Sequence, residues 1–107
     1  MTREILPARR RSETFDLMVG NIRYTATFGL YDDGRPGELF IDGLKAGSDA
    51  QVNARDAAVL MSIALQYGAP VDVLRHAISR TPNGAPQGPV GMLLDRFAEI
   101  TAGEGEP

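Results

Sequence analysis

The chain has 107 residues, which is enough for one domain and too few for two. Its net charge of −3 excludes a protein dominated by nucleic-acid electrostatics, and its aromatic content of 7% argues against a platform for stacking bases. It contains no cysteine and one histidine, which excludes disulfides, thiolate metal sites, cysteine nucleophiles and any metal site that needs two imidazoles.

The first half of the chain alternates between apolar and polar side chains. This period of two runs through residues 13–19 and 22–30, with a Gly-Asn turn between them, and it predicts an antiparallel hairpin with one apolar face. Residues 32–37 are rich in Asp and Gly and form a dense turn signal, and a third strand is predicted over residues 38–42. Three strands with one apolar face need a covering layer.

The second half predicts three helices that supply this cover. Ser48 and Gln51 fit a capping box at the start of the first helix, and Gly68 fits its end. A second helix is predicted over residues 71–79, and a third begins near Pro89. Strands followed by helices predict an α+β fold, in which a three-stranded antiparallel meander is followed by three helices packed on one face.

The spacing of apolar residues in the first helix predicts which of its faces is buried. Apolar side chains form one stripe and polar side chains lie opposite, as is typical of an amphipathic helix with its apolar side in the core. The predicted buried stripe consists of Val52, Val59, Leu60, Ile63 and Tyr67. The residues predicted on the opposite side are Gln51, Arg55, Ser62 and Gln66.

Charge and glycine content divide the chain into three parts. Residues 1–12 are predicted to form a flexible basic arm, and residues 101–107 a disordered acidic tail. The folded domain is predicted over residues 13–100. Three adjacent arginines at residues 9–11 are interpreted as a solvated charge run, because the rest of the chain is acidic.

Carboxylates cluster at the turn after the second strand. Asp32, Asp33 and Glu38 surround Gly34, and carboxylate oxygens are ligands of hard cations. The spacing of a calcium-binding loop is absent, so turn formation by Asp before Gly is the favoured interpretation and no metal is expected. His76 has no evident catalytic partner and is interpreted as a helix-surface residue.

The loop before the first long helix is the best small-ligand position in the sequence. Lys45 and Gly47 precede Ser48 at the helix N-terminus, where backbone N–H groups and the helix dipole favour anions. The spacing matches neither a P-loop nor a dinucleotide-binding fingerprint. A capped loop without a ligand is the favoured interpretation, and a phosphate or nucleotide site is the alternative.

Two longer runs resemble a known family. Residues 31–42 read YDDGRPGELFID, and residues 61–71 read MSIALQYGAPV. With the LPARRR run at residues 6–11, they are similar to the C-terminal region of the adenosylcobalamin-dependent (class II) ribonucleotide reductase large chain, a module often called the TSCPD domain. The resemblance covers most of residues 6–97.

The resemblance implies a fold and does not transfer the reductase chemistry. In that family the module follows a ten-stranded barrel, which holds the cobalamin and the radical-generating cysteines. A chain of 107 residues cannot contain such a barrel, and without cysteine it lacks both the module's signature motif and its cysteine-rich tail. We therefore expect no autonomous catalysis and no cofactor.

The resemblance points to a stand-alone module with a binding or regulatory role. The expected partner is a larger reductase chain or a second copy of this chain, and the expected contact surface comprises the loops at residues 32–38 and 45–48. A small phosphate- or nucleotide-binding protein is the alternative, and nucleic acid is not an expected partner. No segment approaches 18 consecutive apolar residues, so no membrane span is expected and the expected location is the cytoplasm.

Overall fold

The computed structural model describes residues 2–43 and 48–104. Three antiparallel strands come first in the chain and three helices follow, which confirms the predicted α+β fold. The elements are β1 (Ser12–Val19), β2 (Ile22–Leu30), β3 (Pro36–Gly43), α1 (Asp49–Gln66), α2 (Val71–Ala77) and α3 (Pro89–Glu104).

The sheet is a meander in the order β1-β2-β3, so β1 and β3 are its edge strands. β1 pairs with β2 in continuous register along its whole length. Gly20 takes a positive φ of 62° in the two-residue turn that joins them. β2 pairs with β3 with one irregularity, between Gly29 and Leu30.

The core lies between one face of the sheet and the helices. Phe28 is 1% exposed and makes edge-to-face contacts with Phe15 and Phe97, whose ring centroids lie 5.8 and 5.4 Å away. Strands and helices contribute alike to this core, whose burial is the main favourable term in folding. The other core residues are Tyr24, Ala26, Leu30, Leu39, Ile41, Ala54, Ala58, Leu65, Val90, Leu93 and Leu94.

Both ends of α1 follow the sequence prediction. The Ser48 side chain accepts a hydrogen bond from the backbone N–H three residues further on, at 3.2 Å. Gly68 has a φ of +97°. Its N–H donates to Leu65 O at 3.0 Å, and Ala69 N–H donates to Ala64 O at 3.0 Å, which is a Schellman arrangement.

The prediction of the buried face of α1 is wrong. The apolar stripe faces outward, and a row of small and polar residues faces the core. The buried residues of α1 are Ala54, Ala58, Ser62, Leu65 and Gln66. Of the predicted stripe, Val52, Val59, Leu60 and Tyr67 are exposed and Ile63 is half-buried; we call these five residues the outer face of α1.

Two polar side chains account for this orientation, because they bind backbone groups of the edge strand β3. Leu39 N–H donates to Ser62 Oγ at 2.7 Å, and the same hydroxyl lies 3.2 Å from Leu39 O. One helical turn further on, Gln66 Nε2 donates to Gly37 O at 2.8 Å. The helix therefore covers an edge whose backbone groups would otherwise be unpaired.

Residues 2–12, the predicted flexible arm, contact the domain in the structure. Glu4 N–H donates to Gln66 O at 2.8 Å, and Tyr31 Oη donates to Glu4 O at 2.8 Å. The flexibility of the arm stays a prediction, and amide hydrogen exchange at Glu4 would measure it.

A strap at residues 79–88 joins α2 to α3. Gln87 N–H donates to Ser79 O at 3.0 Å, which closes the strap into a small loop. α3 ends at Glu104 and so includes the start of the predicted tail. Residues 105–107 of that tail lie outside the described residues.

Candidate functional site

The turn between β2 and β3 contains three of the predicted site residues: Asp32, Asp33 and Gly34. Gly34 has a φ of +90°, and its N–H donates to Tyr31 O at 2.9 Å. Asp33 accepts hydrogen bonds from the backbone N–H of Arg35 at 3.1 Å and from its Nε at 2.7 Å. These two bonds lower the pKa of the Asp33 carboxyl. Asp33 therefore organises the turn, as Asp before Gly predicts.

Arg35 connects this turn to the N-terminal arm. Its guanidinium binds Glu4 at 3.0 Å as well as Asp33, and its Cζ lies 4.7 Å from the centroid of the Tyr31 ring. Together with the exposed Asp32, these residues line a shallow depression of about 340 Å³. Two of the three carboxylates already bind Arg35, which leaves few groups there for a charged ligand.

The two predicted parts of the contact surface lie at opposite ends of β3. Glu38, near its start, binds Arg10 of the arm at 2.7 Å. Ser48 lies beyond its other end, where it caps α1. Lys45 and Gly47 lie outside the described residues. A strand of eight residues spans roughly 25 Å, so the structure does not bring the carboxylate turn and the start of α1 together.

The outer face of α1 is the largest departure from the sequence prediction. Leu60 is 67% exposed and Val59 is 55% exposed. Asp56 lies one turn from both Val52 and Leu60, so the apolar face carries a carboxylate. Contiguous exposed apolar patches mark interaction sites in proteins. The sequence signal that identifies the buried side is a row at i, i+4 spacing: Ala54, Ala58, Ser62 and Gln66.

An apolar cleft of about 390 Å³ lies along the first half of α1. Ala54 and Ala57 form one wall, and Ile78 and Val90 contribute to the other. Asn53 also lines the cleft, and it lies on nearly the same side of α1 as Leu60, seven residues further on. This lining suits an aliphatic side chain better than a charged ligand.

A charge cluster joins α2, the strap and α3. Asp95 accepts a hydrogen bond from Arg75 Nε at 2.9 Å and two from the Arg80 guanidinium at 2.8 and 3.0 Å. The two bonds from Arg80, and then the one from Arg75, lower the pKa of Asp95 to about 2. Arg80 also donates to Gly84 O at 3.0 Å, so the cluster fixes the strap against α3.

Other functional groups are dispersed over the described surface. His76 is exposed, and its Nδ1 lies 2.6 Å from Asp72 O. Among residues 2–43 and 48–104, no three His, Asp or Glu side chains are grouped to hold a metal ion. The same part of the chain contains no helix long and apolar enough to cross a bilayer.

The family model of the TSCPD domain matches residues 2–105, which is almost the whole chain. This chain belongs to the TSCPD domain family. The match begins in the N-terminal arm, so the arm is part of the family's sequence pattern. The resemblance that the motifs at residues 31–42 and 61–71 predict is confirmed.

Curated relatives of this TSCPD chain are vitamin B12-dependent ribonucleotide reductases. The one from Bradyrhizobium diazoefficiens is 40% identical over 88 residues, which cover 82% of this chain and 7% of the relative. The one from Rhodopirellula baltica is 39% identical over 79 residues, covering 74% and 8%. The one from Agrobacterium fabrum is 37% identical over 89 residues, covering 80% and 7%. No solved structure matches the chain significantly.

Proposed function

We propose that this TSCPD chain is a protein-binding module that docks on a larger ribonucleotide reductase chain. The observation that carries the proposal is the outer face of α1, where apolar side chains that would normally be buried lie in solvent. The relatives support it, because the matched region is only 7–8% of each relative and the remainder offers a large surface to contact.

The outer face of α1 defines the chemistry expected of the partner surface. Asp49 and Asp56 lie two helical turns apart on the same side as Leu60. An apolar partner surface with Lys or Arg opposite these carboxylates would complement the face. The adjacent cleft would receive an aliphatic anchor from the partner. The turn at residues 32–38, with its exposed Asp32, is a second proposed contact.

The proposed role is binding or regulation, without an autonomous reductase reaction. The resemblance implies that reduction in the full enzyme depends on cysteines of the barrel, and this chain has no cysteine. A module that binds the reductase would act by positioning or by controlling access to the larger chain.

Leu60→Lys is expected to weaken binding to the purified B12-dependent reductase of the same organism by about 30-fold, or about 2 kcal/mol. The new ammonium would have to be desolvated where an apolar side chain made the contact. Phe40→Lys is the matched control: Phe40 is 52% exposed on the opposite side of the sheet, and its replacement should leave the affinity unchanged. Isothermal titration calorimetry measures both variants.

Two outcomes would contradict the docking proposal. One is equal affinity of the wild-type chain and Leu60→Lys for the reductase. The other is no measurable heat with the wild-type chain at about 100 μM reductase, a concentration at which a specific contact would be detected.

A phosphate or nucleotide site is the second candidate function. A depression of about 310 Å³ lies between the start of β2 and the first turn of α1, and Arg23 and Tyr24 line it beside Ser48. Arg23, which is exposed at the start of β2, would supply a cation for the phosphate groups. Lys45 would lie in the adjoining segment, outside the described residues.

A thermal-shift panel of nucleoside di- and triphosphates tests this second candidate. A ligand at a 100-fold excess over its Kd stabilises the folded chain by about 2.7 kcal/mol, and Arg23→Ala should abolish the shift. Arg96→Ala, at an arginine that does not line the depression, is the control and should preserve it. An unchanged melting temperature at millimolar nucleotide would contradict the site.

A further inference from the structure

The two edges of the sheet differ in whether another element covers their backbone groups. On β3, Ser62 binds the backbone of Leu39 and Gln66 binds Gly37 O, so α1 covers that edge. On the other side, β1 pairs only with β2 in the part of the chain that the structure describes. β1 therefore presents an open edge of eight residues.

The register identifies which backbone groups of β1 are available. Leu30 N–H donates to Arg11 O at 2.9 Å, so odd-numbered residues exchange hydrogen bonds with β2. The N–H and C=O groups of the even-numbered residues point away from the sheet. These residues are Ser12, Thr14, Asp16 and Met18, all exposed.

β1 carries few of the features that protect an edge from pairing. It contains no proline and no lysine, and its register with β2 has no bulge. α3 packs on β1 from the face of the sheet, where Arg96 Cζ lies 5.6 Å from the centroid of the Phe15 ring, and the even-numbered residues of β1 remain exposed. The core-facing residues Phe15, Leu17 and Val19 are only half-buried, and a further strand would cover them.

We propose that β1 pairs antiparallel with β1 of a second copy of this chain, which joins two sheets into one of six strands. A twofold axis at Phe15 would place this ring against its own copy. The aromatic row of Phe15, Phe28 and Phe97 would then continue across the axis into the second copy.

The occupant is a second copy because this register places each carboxylate of β1 opposite an uncharged side chain of the second copy and Phe15 opposite Phe15. Glu13 faces Leu17 of the second copy, and Asp16 faces Thr14 of the second copy, whose hydroxyl can donate to the carboxylate. No charged side chain is directly opposite a like charge. Shifting the register by two residues towards the turn would place Asp16 opposite its own copy, which is destabilising.

The interface would be small, so the dimer is expected to be weak. One strand pair with its flanking side chains lies at the low end of specific interfaces, below about 1,200 Å² in total. We expect a dissociation constant on the order of 10 μM. The pairing is independent of the docking on a reductase, because it uses the edge farthest from α1.

Thr14→Pro tests the pairing, since it removes an N–H that points away from β2 and so spares the β1–β2 ladder. Light scattering without a column at about 100 μM should give a weight-average mass that rises with concentration towards twice 11.5 kDa for the wild-type chain, and the monomer mass for Thr14→Pro. Thr27→Ala is the matched control: it removes the same Thr14–Thr27 hydroxyl contact of 2.8 Å but should remain dimeric. A monomeric wild-type chain, or a dimer that persists in Thr14→Pro, would overturn the proposal.

Engineered cysteines provide a second test that does not depend on the folding of the proline variant. The chain has no cysteine, so single cysteines can be placed at Thr14 and at Asp16 without background. In the proposed register these two positions face each other, whereas Thr14 lies too far from its own copy for a disulfide. Mixed Thr14→Cys and Asp16→Cys chains should oxidise to the heterodimer. Preferred Thr14→Cys homodimers would overturn the register, and no crosslinking would overturn the pairing.

Discussion

Ser62→Ala is expected to lower the free energy of unfolding by about 2 kcal/mol, although alanine is the better helix former. Ser62 is 9% exposed, and its Oγ accepts the Leu39 N–H at 2.7 Å. Removing the hydroxyl leaves the Leu39 N–H without its hydrogen-bond partner. This N–H is buried, because Leu39 is only 2% exposed. An unpaired buried donor costs about 1–3 kcal/mol. Urea unfolding followed by circular dichroism measures the loss.

Leu60→Ala is the matched control two residues away on the same helix. Leu60 is 67% exposed, so its truncation should change the free energy of unfolding by less than about 0.5 kcal/mol. If α1 buried its apolar stripe, as the sequence spacing predicts, Leu60→Ala would cost about 2–5 kcal/mol and Ser62→Ala almost nothing. The two variants therefore decide which face of α1 is buried.

The orientation of α1 is the main element that the sequence could not predict. A prediction from apolar periodicity assumes that the helix packs on an apolar surface, where burial of leucine and valine side chains is most favourable. α1 instead packs partly on the edge of β3, where the backbone of Leu39 and Gly37 needs hydrogen-bond partners. Ser62 and Gln66 can supply them, and Ala58 allows the close approach. The need for these hydrogen-bond partners arises only because β3 lies beside α1. The position of β3 follows from long-range packing and cannot be inferred from the sequence of α1.

Local chemistry, by contrast, predicted the elements and their ends. The strands follow from alternation along the chain, and the cap at Ser48 and the helix end at Gly68 follow from the conformational preferences of single residues. The turn at Gly34 also depends on neighbours within a few residues. These features need no knowledge of tertiary contacts, which is why the α+β prediction is confirmed.

The carboxylates of the candidate surface show the opposite situation. Asp33 finds its partner Arg35 within the turn, but the other ion pairs are formed with the distant N-terminal arm: Arg10 binds Glu38, and Glu4 shares Arg35 with Asp33. Such pairings depend on how the arm meets the turn and cannot be read from spacing. Glu38 and Asp33, which the sequence prediction assigned to a ligand or partner surface, therefore already bind arginines of the same chain.

The two proposed interaction surfaces lie on different sides of the sheet. β1 forms one edge, and α1 lies along the other, so two strand spacings and a helix separate them, roughly 20 Å. A chain paired through β1 would therefore keep the outer face of α1 accessible. A dimer would present two such faces and could bind two reductase chains, or one symmetric reductase dimer with increased avidity.

Asp95→Asn is expected to lower the free energy of unfolding at neutral pH by about 1–2 kcal/mol. The Asp95 side chain is 21% exposed and holds both Arg75 and Arg80. Asparagine keeps the size of the side chain but removes its charge and one hydrogen-bond acceptor. The strap would lose its anchor to α3, because Arg80 also binds Gly84 O.

The pH dependence of the difference in free energy of unfolding between the wild-type chain and Asp95→Asn tests the role of Asp95 more sharply than its value at neutral pH. The pKa of Asp95 is lowered from 3.8 to about 2 in the folded chain, so its contribution is complete above about pH 4 and is lost as the pH falls towards 2. The gap between the wild-type chain and Asp95→Asn in urea unfolding should be constant from about pH 7 to 5 and should shrink below about pH 4. Asp33→Asn is the control: Arg35 lowers the pKa of Asp33 too, but its side chain is 57% exposed, so solvent screening makes the gap smaller. A gap for Asp95→Asn that is absent at neutral pH, or that does not shrink in acid, would show that this cluster does not stabilise the fold.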